Sequence, residues 1–210
     1  MRAIYIVLLI FGSFLFFILV IAKIARKLYP FPVPNCLTEI IDNPWRRILQ
    51  PPKKIIDRMK VLPGMKGLEI GPGKGSYLFE FAQEITPGTV RAIDISEKVI
   101  TRLKKRITER NIPNIELQVQ DAITIPFDDN TFDRILSIAC LPEIPYPIQA
   151  LSEWKRVLKS DGIISLCELF FDPDYPLRTT EIRWAKEVGL YLQDQFGSWF
   201  AYQLNFTKFE

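Results

Sequence analysis

The stretch of sequence that decides the fold is Gly67-Leu68-Glu69-Ile70-Gly71-Pro72-Gly73-Lys74-Gly75-Ser76. An apolar run that ends in an acidic residue leads into three alternating glycines, and an amphipathic run follows over residues 77–85. This order predicts a buried strand, a turn whose backbone comes close to a ligand, and the start of a helix. Loops of this kind hold nucleotide-like cofactors at the carboxyl edge of a parallel sheet.

The glycine spacing excludes two common cofactor loops. A dinucleotide fingerprint has the spacing Gly-x-Gly-x-x-Gly, but Ser76 stands where its third glycine is required. A P-loop has a glycine five residues before the glycine of its Gly-Lys pair, and this chain has Leu68 there. The pattern that remains is Glu-x-Gly-x-Gly-x-Gly.

Strand and helix patterns alternate after this loop. Short apolar runs predict strands over residues 90–93, 115–119, 132–139 and 163–169, and the stretch 189–208 predicts two more strands around Gly197. Helical spacing fills the intervals, and an Asp161-Gly162 turn is expected between a helix ending near Lys159 and the fifth strand. Alternation of this kind predicts a parallel sheet with helices on both faces.

The apolar run over residues 3–22 contains no charged residue. Twenty residues at about 1.5 Å each match the thickness of a bilayer core. A cleaved signal peptide is the alternative, but its apolar region is usually only about 7–15 residues and ends at a small-residue site, which is missing before Lys23. We therefore expect a single-pass transmembrane anchor over residues 1–28. The positive-inside rule then places the remainder in the cytoplasm.

Charge and residue types exclude several functions. Residues 1–29 hold four of the 27 basic residues and none of the 24 acidic ones, so the remainder has 23 basic against 24 acidic residues, a net charge of −1. A near-neutral domain argues against nucleic-acid binding. With no histidine and three scattered cysteines, the chain has no histidine-containing triad, no His/Cys zinc set and no sign of a disulfide framework, and we expect no metal.

Residues 29–60 predict a stiff proline-rich link followed by two short helices, which begin at Asn43-Pro44 and Pro51-Pro52. The spacing of the first helix places three apolar side chains on one face, beside two arginines: Trp45, Ile48 and Leu49, with Arg46 and Arg47. Two interpretations are open. The helix is either an element at the membrane interface or a cover over the edge of the domain.

Two acidic residues follow predicted strands. Asp94 ends the second strand about 20 residues past the glycine loop, where a carboxylate binds ribose hydroxyls; a turn or helix cap before Ser96 is the alternative. Asp121-Ala122 follows the third strand directly.

In this order, the motifs resemble those of class I S-adenosylmethionine-dependent methyltransferases over about residues 60–208. The glycine stretch is similar to motif I of that family, which cradles the methionine part of the cofactor. Asp94 matches the acidic residue for the ribose hydroxyls. The run from Asp121-Ala122 to Phe132-Asp133 is similar to D-A-x-x-L-P-F…F-D, whose Asp and following N–H recognise adenine. The segment 154–162 resembles R-V-L-K-P-G-G, with Ser160 and Asp161 in place of Pro and Gly.

The resemblance implies an α/β fold: a Rossmann-like, doubly wound, seven-stranded sheet, mostly parallel with the last strand antiparallel, over residues 61–210. It implies S-adenosylmethionine as the cofactor. The cofactor-binding residues that it implies are Glu69, Gly71, Gly73, Gly75, Asp94, Ile95, Asp121, Ala122 and Ile138.

The acceptor pocket is expected after the fourth strand. Methyl transfer from a sulfonium is an in-line displacement that depends on alignment and exclusion of water, so the absence of histidine is no objection. Glu143 is the candidate catalytic residue, able to orient or deprotonate an acceptor, with a surface carboxylate as the alternative. Cys140 is interpreted as a small buried hydrophobe rather than a ligand for a soft acceptor such as arsenite.

The sequence thus predicts a membrane-anchored methyltransferase that acts on a small or lipophilic acceptor, either a quinone precursor or a phospholipid head group. In character the chain resembles ubiquinone/menaquinone-biosynthesis methyltransferases and bacterial phosphatidylethanolamine N-methyltransferases. The alternative is a membrane-tethered S-adenosylmethionine-binding protein without turnover, which acts through a protein partner.

Overall fold

The computed structural model describes residues 44–172 and 174–209, together with a few positions nearer the start, namely 5, 12–14, 17 and 21. The predicted anchor and the proline-rich link therefore lie almost wholly outside the described residues. Within the part that is described, no helix is both long enough and apolar enough to cross a bilayer.

The described chain alternates helices with strands. The helices are α1 (Pro44–Leu49), α2 (Pro52–Arg58), α3 (Leu78–Ile85), α4 (Glu97–Arg110), α5 (Pro147–Val157) and α6 (Arg178–Glu187), with one 3-10 turn at Leu141–Glu143. The strands are β1 (Lys66–Ile70), β2 (Thr89–Asp94), β3 (Ile115–Val119), β4 (Phe132–Ile138), β5 (Leu158–Leu169), β6 (Tyr191–Gly197) and β7 (Ala201–Thr207).

The seven strands form one sheet in the order β3-β2-β1-β4-β5-β7-β6. Strands β1 to β5 pair in parallel, and β7 is antiparallel to both of its neighbours. The predicted seven-stranded, mostly parallel sheet with an antiparallel last strand is confirmed.

The beginning of β5 differs from the prediction. The helix α5 ends at Val157, and the strand runs from Leu158 through the expected Asp161-Gly162 turn. The register shifts there, because Phe132 of β4 pairs with Leu158 while Arg134 pairs with Ile163. The Asp-Gly pair thus lies in an irregular part of a strand, and residues that favour turns are compatible with such bulge-like irregularities.

The sheet carries an apolar cluster on each face. One cluster joins β1, β4 and β5 to α5 and is centred on Trp154, and the other joins the sheet to α2, α3 and α4 and includes Phe81. Neighbouring residues of one strand serve opposite faces, as Ile135 and Leu136 of β4 do. Both faces of the central strands are therefore covered, whereas the edge strands β3 and β6 are largely exposed.

Two buried carboxyl groups stand out in this interior: Glu168 at the end of β5 and Glu181 on α6. Desolvation raises the pKa of Glu181 to about 8. Desolvation, with the adjacent Glu181 and Asp172 carboxyl groups, raises the pKa of Glu168 well above its usual range. Both groups therefore keep their protons at a pH where exposed carboxyl groups have lost them.

This burial makes stability depend on pH. Between the ordinary value near 4.5 and the folded value near 8, the folded state holds more protons than the unfolded chain. The free energy of unfolding should then fall as pH rises through that window, by at most about 1.4 kcal/mol per pH unit for each group. We expect E181Q to flatten the fall, as measured by denaturant unfolding at several pH values.

The matched control is E187Q, which removes an exposed carboxyl group from the same helix. It should leave the pH dependence unchanged. Equal slopes in E181Q and the unsubstituted protein would contradict the assignment.

Candidate active site

A cavity of about 360 Å³ lies at the carboxyl ends of β1, β2 and β4. Glu143 lines it, and so do eight of the nine predicted cofactor-binding residues: Glu69, Gly71, Gly73, Asp94, Ile95, Asp121, Ala122 and Ile138. Gly75 is not among the lining residues. The size falls in the range of sites for small ligands.

The three glycines of the loop all have positive φ but serve different purposes. A Cβ at Gly73 would meet no atom within 4 Å, so the backbone there faces open space. A Cβ at Gly71 would lie 2.6 Å from the Cys140 Sγ, and one at Gly75 would lie 2.7 Å from the Leu103 Cδ2. Gly73 therefore leaves room for a ligand, whereas Gly75 allows α4 to pack against the loop.

Asp94 makes the turn contact that is the alternative to ribose binding, and it also lies at the cavity. Its Oδ1 accepts a hydrogen bond of 2.8 Å from the Ser96 N–H, which forms a turn before α4. Its side chain also lines the cavity. Desolvation raises the pKa of this carboxyl group, and the bond from Ser96 partly offsets that effect.

The next strand contributes Asp121 and Ala122. The Asp121 Oδ1 accepts a hydrogen bond of 3.0 Å from the Ile123 N–H, and the Trp154 indole donates one of 3.0 Å to the Ala122 carbonyl. The buried tryptophan thus fixes the backbone of this wall of the cavity from below.

The end of β4 supplies the opposite wall. Ala139 has a φ of +51°, a left-handed conformation that is uncommon for a residue with a Cβ. It is followed by Cys140 and by the 3-10 turn that carries Glu143. Desolvation, with Glu143 and Asp94 nearby, raises the pKa of the Cys140 thiol well above its usual range. The thiol therefore stays protonated, which fits the predicted role as a small hydrophobe.

Two further lining residues, Arg46 and Tyr77, are absent from the sequence prediction. Arg46 of α1 is buried and forms an ion pair with Asp172, which lies just after β5. The Tyr77 hydroxyl donates a hydrogen bond of 3.0 Å to the Gln50 carbonyl at the end of α1. The helix α1 therefore covers this side of the cavity. The sequence signal for a buried arginine was its position within an apolar helical pattern. Its partner could not be predicted, because Asp172 is 126 residues away in the chain.

Residues 68–166 match the family model described as "Methyltransferase domain". Demethylmenaquinone methyltransferase of Listeria monocytogenes is 30% identical over 153 residues, which are 71% of this chain and 62% of that protein. Aklanonic acid methyltransferase of Streptomyces sp. is 31% identical over 120 residues, which are 57% of this chain and 54% of that protein. The chain spans about half the length of the curated relatives it matches.

The fold has solved counterparts. A SAM-dependent methyltransferase of Aquifex aeolicus superposes with a TM-score of 0.77 over 83% of this chain and 98% of that one, at 20% identity. Together these comparisons support a class I S-adenosylmethionine-dependent methyltransferase domain at residues 68–166. The predicted domain class and the predicted cofactor are confirmed.

The charges of the cavity fit the cofactor of this methyltransferase domain. Among the described lining residues, four carboxyl groups (Glu69, Asp94, Asp121 and Glu143) face a single cationic side chain, Arg46, whose charge Asp172 matches. S-adenosylmethionine carries a sulfonium, an amino group and ribose hydroxyls, all of which suit carboxylate partners. The open backbone at Gly73 and the carboxyl groups after β2 and β3 are the groups that would hold it.

The different roles of the glycines in the methyltransferase domain can be separated by substitution. Alanine at position 73 or 75 costs about 1–2 kcal/mol, because a residue with a Cβ is strained in the left-handed backbone conformation. G75A adds a clash with Leu103, so we expect it to lower the free energy of unfolding by about 1–3 kcal/mol more than G73A does. The folded fraction of G75A should retain its affinity for S-adenosylmethionine.

G73A should instead place a methyl group in the cavity and weaken cofactor binding by roughly tenfold or more. Thermal unfolding and calorimetric titration measure the two effects. Similar affinities in G73A and G75A would refute the distinction.

Asn at position 94 retains an oxygen for the Ser96 N–H but removes the charge. If Asp94 binds ribose hydroxyls, D94N should lower S-adenosylmethionine affinity by about 10–100-fold at nearly unchanged stability. If the residue serves only the turn, D94N should bind normally. The control is D128N at an exposed position outside the cavity, and titration of the three proteins decides the matter.

Proposed function

We propose that the protein transfers a methyl group from S-adenosylmethionine to a small lipophilic acceptor of the quinone-precursor type. The supporting observation is the part of the cavity beyond the glycine loop, which is walled by Ile123, Ile144, Pro145 and Tyr146. Such a wall suits a ring or chain with little charge. The two relatives named above methylate, by their names, demethylmenaquinone and aklanonic acid.

In this proposal each wall of the cavity has a separate task. The bound cofactor supplies an electrophilic methyl group on its sulfonium. The glycine loop and the carboxyl groups after β2 and β3 hold the cofactor, and Arg46 of α1 excludes water together with Tyr77, which bonds to the Gln50 carbonyl just after α1. Glu143 orients the acceptor hydroxyl or acidic carbon and accepts its proton. Cys140 contributes apolar contact as a neutral thiol.

The membrane is part of the same proposal. Residues 1–28 form a single-pass anchor with its apolar core at 3–22, and the domain at 61–210 lies on the cytoplasmic side. The support is the uncharged run and the basic residues that follow it at Lys23, Arg26 and Lys27. Resistance of the full chain to extraction from membranes by salt and alkaline carbonate would test this part.

The catalytic part is tested with membranes that contain the full chain and a donor with a labelled methyl group. We expect label in the quinone fraction of the extracted lipids. Label confined to phospholipid head groups would favour the other acceptor class. Cofactor binding without any labelled product would favour a non-catalytic binding protein.

Glu143 provides a sharper test. E143Q should lower kcat by about 100-fold or more if the carboxylate moves a proton, with S-adenosylmethionine affinity changed little. The control, E109Q, removes an exposed carboxylate of α4. An unchanged kcat in E143Q would remove this residue from the mechanism and leave the cofactor site as assigned.

A further inference from the structure

One edge of the sheet carries several exposed apolar side chains. Strands β1 to β5 and β6 end at this edge, and the segments that follow β1, β2, β3 and β4 line the cavity. The helix α1 and the segments that follow β2, β4, β5 and β6 carry large apolar side chains that are mostly exposed: Trp45, Ile48, Ile95, Tyr146, Phe171 and Trp199. We refer to these six residues as the rim.

The helix α1 places its polar face inward. Arg46 pairs with Asp172, and the Gln50 amide just after the helix donates to the Glu168 and Tyr202 carbonyls at 3.0 and 3.3 Å. Side chains three and four residues apart share a helix face, so Trp45, Ile48 and Leu49 point away together. Trp45 is 72% exposed. A helix that only covered the domain would bury these residues and expose the arginine.

A second part of the rim is built from aromatic rings. Phe171 contacts Phe200 at 5.0 Å between centroids, and Phe200 contacts Trp199 at 5.7 Å. The Tyr175 hydroxyl donates to the Trp199 carbonyl and fixes the tip of the β6–β7 hairpin. Trp199 is nevertheless 67% exposed, so this hairpin holds an indole ring in solvent on a braced backbone.

Part of the rim lies at the mouth of the cavity. Ile95 and Tyr146 line the cavity and are also 60% and 63% exposed, so they stand where it opens. The carboxyl-bearing residues Asp94, Asp121 and Glu143 line the cavity, whereas Glu97, two residues after Ile95, is exposed. Apolar side chains thus stand at the mouth of the cavity, and three carboxyl-bearing residues line its interior.

Three observations bear on the partner that this surface contacts. Tryptophan and tyrosine concentrate where bilayers meet water. Arg47 on α1 and Lys54 on α2 are both exposed and suit anionic head groups. The chain also carries the uncharged run 3–22 upstream of α1. Contiguous exposed apolar patches on soluble proteins mark interaction sites, and these features together fit a lipid surface.

We propose that the rim lies in the interfacial layer of a phospholipid bilayer, so that the cavity opens directly to the lipid. The inference rests on the proposed function, since a lipophilic acceptor would enter from that side. The inference adds an orientation of the domain that the proposed anchor alone does not give. The 21 residues between positions 22 and 44 reach about 70 Å when extended, and a tether of that length does not by itself orient the domain.

Tryptophan fluorescence of the full chain tests the orientation. The protein is reconstituted in phosphatidylcholine–phosphatidylglycerol vesicles with or without bromine on the acyl chains, and the emission lost to bromine is measured. We expect W199F to reduce the quenchable emission and W45F/W199F to abolish it. Trp199 decides the outcome, because Trp45 lies near the tether whereas Trp199 is 177 residues beyond position 22.

The matched control is W184F, since Trp184 is partly buried against the core on α6. Its substitution should leave the quenchable emission unchanged. Equal quenchable emission in W199F and the unsubstituted protein would overturn the proposal. Quenching reports position and not turnover, so an orientation confirmed without methyl transfer would count against the proposed function alone.

Discussion

The parallel pairing of β1 with β4 is the constraint on which the rest of the structure depends. These strands are more than 60 residues apart in the chain, yet Ile70 pairs with Ser137. Their connections leave toward opposite faces of the sheet, which opens a crevice at their carboxyl ends. The same pairing brings Gly71 against Cys140 and so places the glycine loop beside the turn that carries Glu143.

Much of this arrangement could be predicted because it is written in local patterns. The spacing of the glycines and the acidic residues at the ends of β2 and β3 depend on a few neighbouring positions. Parallel strands then bring their carboxyl ends to a common edge, so Asp94 and Asp121 meet in one cavity without any knowledge of side-chain contacts. Sequence spacing could not, however, separate Gly73, whose backbone faces open space, from Gly75, which faces Leu103.

The remaining features depend on contacts between distant segments. The partner of Arg46 lies 126 residues away, and the left-handed backbone at Ala139 has no signature in the residue type. The irregular start of β5 arises from pairing with β4, which overrides the turn preference of Asp161-Gly162. Local propensity is a weak guide wherever tertiary pairing competes with it.

The helix α1, which covers one side of the cavity, is attached by polar contacts, and this determines how the solvent or membrane around it affects the closure. Most surface helices are held by apolar burial, which weakens on cooling. This helix is held by an ion pair and amide hydrogen bonds. Lifting it would hydrate a buried charge pair and expose few new apolar groups of its own, so its attachment is governed by the local dielectric constant, while salt screens a buried pair little. A low-dielectric neighbour would tighten the closure of the cavity, whereas bulk water would loosen it.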